Sequence, residues 1–377
     1  MKIRKGLLVL ILAGSLCLPV SCTPQPTLEP TVTPLPPTAT ATVTPTITLT
    51  PTITPTREPP VLPSVFTTSQ LNLLDTPHTY IQDTCTYLKE KWDPNNSTPG
   101  TVVMVIMVHS ISKAATVSAP EAITGDRFKI LARDLHEQNF TTITMQQLYD
   151  FLDHNAKIPE RSFLFIVDDN RFAENYNTWF RPLYEQYGWT VTNASINTPE
   201  PPDFWSALAA LGAEGWIDFQ AHGVIHNINI DPYSTEDFIK NELYGSIQGI
   251  QEHFNKTPIA YIWPGGGFTK RAVQIAVEAG YKLGFTINPR GPLMFNWLPL
   301  GDQLDPNRPS YLPEGSISDL LMVLPRYWSP DADNHIDEVR VIGRDAAAYA
   351  EANKQTELDY YAIVCVPLTG PLPTVNP

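Results

Sequence analysis

The sequence predicts an α/β fold, a parallel sheet or barrel, set behind a long segment that builds no core. Three observations carry this. Short β-rich apolar runs alternate with helically spaced segments from Thr101 onward. The residues able to do chemistry fall at the ends of several of those runs, where α/β barrels carry their sites. Up to residue 62 the chain is a charged and apolar leader followed by a Thr/Pro-rich stretch.

Met1–Ser21 reads as an export signal: Lys2, Arg4 and Lys5 open it, and Leu7–Leu18 is an apolar stretch too short to span a bilayer well. Val20-Ser21-Cys22 resembles the end of a bacterial lipobox, in which Cys22 would be the lipidated first residue of the mature chain and hold it to the membrane. Pro19 stands where Leu is usual, and the alternative is an ordinary signal peptide with an incidental Cys. From residue 22 to 62 the chain is dominated by Thr and Pro, which disfavours packing and reads as a disordered, extended stalk, a candidate for glycosylation on Thr. The expected organisation is a signal peptide (1–21), a linker (22–62), an N-terminal extension (63–99), a catalytic-type domain (100–345) and a C-terminal segment (346–377). The location that follows is outside the cytoplasm, at a lipid-anchored cell surface. A net charge of −14 argues against nucleic acid as a partner, because an acidic protein gains nothing from counterion release. Four cysteines occur. Cys17 and Cys22 belong to the leader, so Cys85 and Cys365 are either a disulfide tying the start of the domain to its end or two unrelated buried thiols.

In order, Tyr80–Trp92 is a candidate helix and Pro94–Gly100 a turn cluster. Thr101–Val108 is a strand ending at His109. Asp126–Asn139 has helical spacing in Phe128, Ile130, Leu131 and Leu135. Thr141–Thr144 is a short strand, Gln146–His154 a helix, and Phe163–Val167 a buried strand ending at Asp168-Asp169. Trp179–Tyr187 and Phe204–Leu211 are helical; Thr190–Ala194 and Ile217–Gln220 are strands, the second delivering His222. Thr235–Phe254 is a long helix, Ile259–Ile262 a strand delivering Trp263-Pro264-Gly265, Lys270–Ala279 a helix and Lys282–Ile287 a strand.

The chemistry concentrates in Asp168-Asp169 and in His222-Gly-Val-Ile-His226. Together they offer carboxylates and two imidazoles, a minimal set for metal-assisted hydrolysis, in which a divalent ion makes water easier to deprotonate and a neighbouring carboxylate takes the proton. Histidines at i and i+4 share a face of a helical turn. Gly223 occupies the position of the Glu in HExxH, so this is not a metalloprotease motif. Taken alone, the pair also fits a surface turn, and the two aspartates an ordinary strand-end turn.

In order and spacing these segments resemble the polysaccharide deacetylases, the NodB-homology or carbohydrate esterase family 4 group, over roughly Thr101 to Trp328. Ile166-Val167-Asp168-Asp169-Asn170 is similar to the family's Thr-Phe-Asp-Asp-Gly, and His222–His226 to its His-Ser/Thr-x-x-His. Tyr261–Gly266 is similar to its aromatic-Pro-aromatic-Gly stretch, Val108-His109 to its opening Tyr-His, and Leu324-Pro325-Arg326 to a late Leu/Ile-Pro-Arg. Asn170 replaces a Gly, Gly223 replaces a Ser/Thr, the motif-three Arg is absent and the late Leu-x-His is not evident.

The resemblance implies a distorted (β/α) barrel. It implies Asp168 as general base, and Asp169, His222 and His226 as ligands of a divalent metal, zinc first. The Gly265 amide would hold the oxyanion, and Trp263 would be a wall for the sugar. His109, with His335 as the weaker choice, would be the proton donor to the leaving amine. The implied substrate is an N-acetylated polysaccharide: peptidoglycan, a chitin-like polymer or an exopolysaccharide. Two other readings compete: a carbohydrate-binding member that has lost catalysis, and a two-His-one-carboxylate iron oxygenase, against which the residue order and the alternating pattern argue.

Overall fold

The computed structural model describes residues 57–225 and 228–374. The signal peptide, Cys22, nearly all of the linker, and His226 lie outside them. Twelve strands are present among the described residues: β1 (Asp75–His78), β2 (Val102–Val108), β3 (Ser110–Ser112), β4 (Ala122–Thr124), β5 (Thr141–Thr142), β6 (Arg161–Asp168), β7 (Val191–Ser195), β8 (Ile217–Ala221), β9 (Ala260–Ile262), β10 (Leu283–Phe285), β11 (Leu298–Gly301) and β12 (Tyr327–Trp328). Ten helices accompany them: α1 (Thr84–Trp92), α2 (Gly125–Glu137), α3 (Met145–His154), α4 (Ala173–Trp179), α5 (Arg181–Tyr187), α6 (Phe204–Ala213), α7 (Glu236–Phe254), α8 (Lys270–Ala279), α9 (Ile336–Tyr360) and α10 (Val366–Thr369). None is long and apolar enough to cross a membrane.

The principal sheet has eight strands, in the order β10-β9-β8-β7-β6-β2-β12, with β5 beside β6, and every pairing is parallel. It curls into a half-barrel. The segment before β12 draws its edges together. Leu324 bridges to Phe285 on β10, and four residues later Trp328 pairs with Met107 on β2. Arg326 lies between the two attachments.

Strand alternation sorts the apolar side chains into two layers. Met104, Ile106, Phe163, Phe165 and Val167 face outward, packed with Phe128 and Leu131 of α2, Phe204 and Leu208 of α6, and Val339 and Ile342 of α9. Val103, Val105, Leu164 and Ile166 face inward with Ile262, Phe285, Leu293 and Leu298. On β6 the inward set runs Leu164, Ile166, then Asp168, so the pleat itself carries a carboxylate to the inside of the barrel mouth. Thr144 caps α3 in a capping box with Gln147, and Thr124, Thr235 and Thr269 cap α2, α7 and α8. Those caps fix where each helix leaves its strand-end loop.

The N-terminal extension is bound to the C-terminal helix. Cys85 and Cys365 form a disulfide with Cα atoms 5.2 Å apart. Lys91 and Trp92 both contact the buried Glu357 carboxylate of α9. The boundary expected at 345/346 falls inside α9, which runs unbroken from Ile336 to Tyr360. The expected C-terminal segment therefore opens inside a helix that packs on the core, with Ala346 and Ala350 buried.

Candidate active site

The ends of β2, β6, β8 and β9 converge. Asp168 is the last residue of β6 and is buried. Arg326 reaches it from the closing segment, with Nη1 donating to Oδ1 at 2.7 Å and Nη2 to Oδ2 at 3.0 Å, while Nε donates to the Thr286 carbonyl at 2.7 Å. This is the fork geometry that makes Arg pair so well with carboxylates. Burial pushes the Asp168 carboxyl up, but Arg326, His222 and His109 together outweigh burial and hold it below the usual carboxylate range.

Asp169 takes a left-handed backbone conformation, φ 68°. Asp tolerates this better than most residues. The turn breaks the strand alternation and lets the second carboxylate look toward β2 and β8. Its Oδ2 lies 3.3 Å from His109 Nε2 and 3.2 Å from Arg171 Nη2; its Oδ1 lies 3.6 Å from His222 Nε2. His222 is buried, and its Nδ1 lies 2.7 Å from the Ile262 carbonyl. A carbonyl only accepts, so Nδ1 carries a proton, and Nε2 points toward Asp169.

Two ligands about 2.1 Å from one ion at a roughly tetrahedral angle stand about 3.4 Å apart. The 3.6 Å separation and the O,N donor pair therefore suit a divalent metal. Among the described residues no cluster of three His, Cys, Asp or Glu is preformed, and the third expected ligand, His226, is outside them.

Asn170, standing where the family pattern has Gly, stitches the turn to β7. Its Nδ2 donates to the Ile196 carbonyl, and the Ile196 amide donates to its Oδ1, which continues the β6–β7 pairing by one side chain. Gly223 has φ 93°, and a Cβ there would lie 2.6 Å from Glu242 Oε2. Glu242, on α7 and wholly buried, accepts the amides of Val224 at 2.8 Å and Ile225 at 3.2 Å. The position left small by Gly223 is filled by a carboxylate from another element.

At the end of β9 the amides of Gly266 and Gly267 are used within the turn, on Trp263 and Pro264 carbonyls. Gly265 stands exposed at its tip with φ 57°. Trp263 presents no face to a sugar. Alternation places it with Tyr261 on the outer side of β9, packed with residues of α7 and α8, its indole N–H donating to the Met322 carbonyl. That corrects its expected role. His335 is at the start of α9, between Asp331 and Glu338.

Sequence reasoning missed Arg326 as the partner of Asp168, as well as Arg171 and Glu242. Glu242 had a signal: it shares the buried stripe of α7 with Ile239, Leu243, Ser246 and Ile250, where a carboxylate needs a partner.

Residues 155–284 match the polysaccharide deacetylase family model. Enzymes of that family are hydrolases acting on carbon–nitrogen bonds other than peptide bonds. The deacetylase span contains Asp168, Asp169, His222 and His226, but neither His109 nor Arg326. Among solved structures, the chain is similar to the Streptococcus pyogenes deacetylase PplD in complex with acetate. Identity there is 19% and the TM-score 0.49, covering 64% of this chain and 99% of that one. It is also similar to IcaB from Ammonifex degensii, at 15% identity and TM-score 0.48, covering 64% and 98%. The de-N-acetylase from Aggregatibacter actinomycetemcomitans is similar at 16% identity and TM-score 0.46, covering 60% and 94%. No curated protein sequence matches the chain.

Proposed function

We propose that this deacetylase is a metal-dependent hydrolase that removes N-acetyl groups from an N-acetylated polysaccharide at the cell surface. The lipid on Cys22 and the Thr/Pro-rich stalk would hold the domain at the membrane. The observation that carries the reading is the meeting of Asp168, Asp169 and His222 at adjoining strand ends inside the family-matched span. Asp169, His222 and His226 would hold the divalent ion, zinc first, and the ion would serve as a Lewis acid toward the acetamide carbonyl and ease deprotonation of water.

Asp168 accepts that proton. Arg326 occupies one lone pair on each of its oxygens, and a carboxylate has more to offer. The Gly265 amide donates to the oxygen on which negative charge develops. His109, on the far side of Asp169, gives the proton to the departing amine.

One observation favours the second reading, a carbohydrate-binding lipoprotein that has lost catalysis. The Arg171 guanidinium lies 3.2 Å from Asp169 Oδ2, already supplying positive charge to a proposed metal ligand.

Acetate release from N-acetylated oligosaccharides, read together with bound zinc, separates the two. Asp168→Asn is expected to cut acetate release ~10²–10⁴-fold with zinc retained, and His222→Ala to lose both. Equal loss of zinc in the two variants would make Asp168 a ligand. A zinc-loaded native chain inactive on every acetylated polymer would establish the binding reading.

A further inference from the structure

Beside the carboxylates lies a cleft of about 250 Å³. Val108, His109, Ser110, Val167, Arg171 and Phe172 are among the residues that line it. Both His109 and Arg171 touch Asp169, so the cleft opens onto the reacting end of the site.

Phe172 breaks two local rules there. It is 58% exposed. It is also the N-cap of α4 with no side-chain cap hydrogen bond, a position where Ser, Thr, Asp or Asn would accept a backbone amide. A large apolar residue left mostly in water and supplying no side-chain cap, at the rim of a site, is where function is expected to override local stability. Its ring is held edge-on against Phe204, centroids 5.3 Å apart and planes at 80°. The ring is thus fixed from one side while much of its surface remains in water.

We infer that Phe172 is a stacking platform for a pyranose ring of the polymer next to the sugar being deacetylated, with that ring seated over the cleft. The inference rests on the deacetylase reading and adds to it that the substrate is an oligomer engaged by more than one sugar. An aromatic face suits the apolar C–H face of a pyranose, while the polar rim at Ser110 and Arg171 suits its hydroxyls.

The test uses hexa-N-acetylchitohexaose as the probe. Binding is measured on the full chain carrying Asp168→Asn, so that turnover does not intervene. Adding Phe172→Leu, which keeps apolar bulk but removes the ring, is expected to weaken binding roughly three- to tenfold. Phe172→Tyr is expected to bind as the parent does. In the otherwise native chain, Phe172→Leu should raise KM for the hexamer more than for N-acetylglucosamine. Equal hexamer affinity for the Leu variant and its parent, with the native chain releasing acetate, overturns the platform and leaves the deacetylase reading standing. No acetate release and no hexamer binding by the native chain overturns both.

Discussion

On the carboxylate side of the site, Asp168 is gripped by a guanidinium that arrives on the segment closing the barrel, 158 residues away in sequence. On the histidine side, the turn after His222 is held by Glu242, which arrives on the outer helix that follows. The signs are reversed. A cation holds an acid in one place, and an anion holds backbone amides in the other. In both cases the functional residue sits at a strand end and its partner comes from a different layer, so neither strand end can shift without exposing a buried charge. The two anchors differ in kind. Arg326 meets a full charge with two hydrogen bonds, whereas Glu242 meets two amide dipoles with one oxygen, and among the described residues its buried Oε1 has no hydrogen-bond partner.

That difference predicts unequal sensitivities. Arg326→Met strands a buried carboxylate. Removing one member of such a pair costs about 3–5 kcal/mol, and urea unfolding should show it. Arg326→Lys should recover only part, since an ammonium cannot reproduce the fork. A loss below about 1 kcal/mol for the Met variant would mean that the closing segment is held by packing alone, and the contrast between the two sides would collapse.

The histidine side should be softer. Glu242→Leu leaves the Val224 and Ile225 amides without their acceptor, at about 1–3 kcal/mol, and Glu242→Gln, which keeps one acceptor oxygen, should lose less. Hydrogen exchange at those two amides gives the sharper reading. It should speed up in the Leu variant while amides of β6 keep their protection. Uniform acceleration across the domain would place the effect in global stability and not in this turn.

How much of this was legible depends on sequence distance. The strand ends could be read because each is local: an apolar run stops, and the next residues are Asp168-Asp169 or His222. Lys270–Ala279 forms the helix its spacing predicts. Trp263 was misread although its own strand held the answer. Ala260 and Ile262 face in, so Tyr261 and Trp263 face out. The Arg326–Asp168 pair could not be read, because it depends on which segment closes the barrel, and that is decided by pairings of only a few residues, Leu324 with Phe285 and Tyr327-Trp328 with Ile106-Met107. No periodicity reports a strand that short. The whole of α9 went unread, and the expected domain boundary at 345/346 falls inside it.

The smallest expected effect asks whether the carboxylate side's anchor depends on the helix behind it. Arg326 and β12 lead directly into the start of α9, where His335 packs near the Tyr327 ring, centroids 5.0 Å apart, and lies 3.0 Å from Glu338 Oε2 and 3.2 Å from Asp331 Oδ2. A positive imidazole at a helix N-terminus opposes the helix dipole. The hydrogen bond to Glu338 nevertheless raises the His335 pKa, against a smaller opposing effect of burial. A raised folded-state pKa means that the charged form stabilises the fold. The contribution is full below the unfolded value near 6.5 and fades as pH rises through the folded value. Comparing native and His335→Gln chains by urea unfolding across pH 5.5 to 8.5 isolates it from the other histidines. The native chain should lead at the acid end by about 0.5 kcal/mol, and the lead should vanish at the alkaline end. If the same pH change also alters the Arg326→Met penalty, the anchor and the helix start act as one unit. If the penalty is constant, the closing segment holds Asp168 without help from α9.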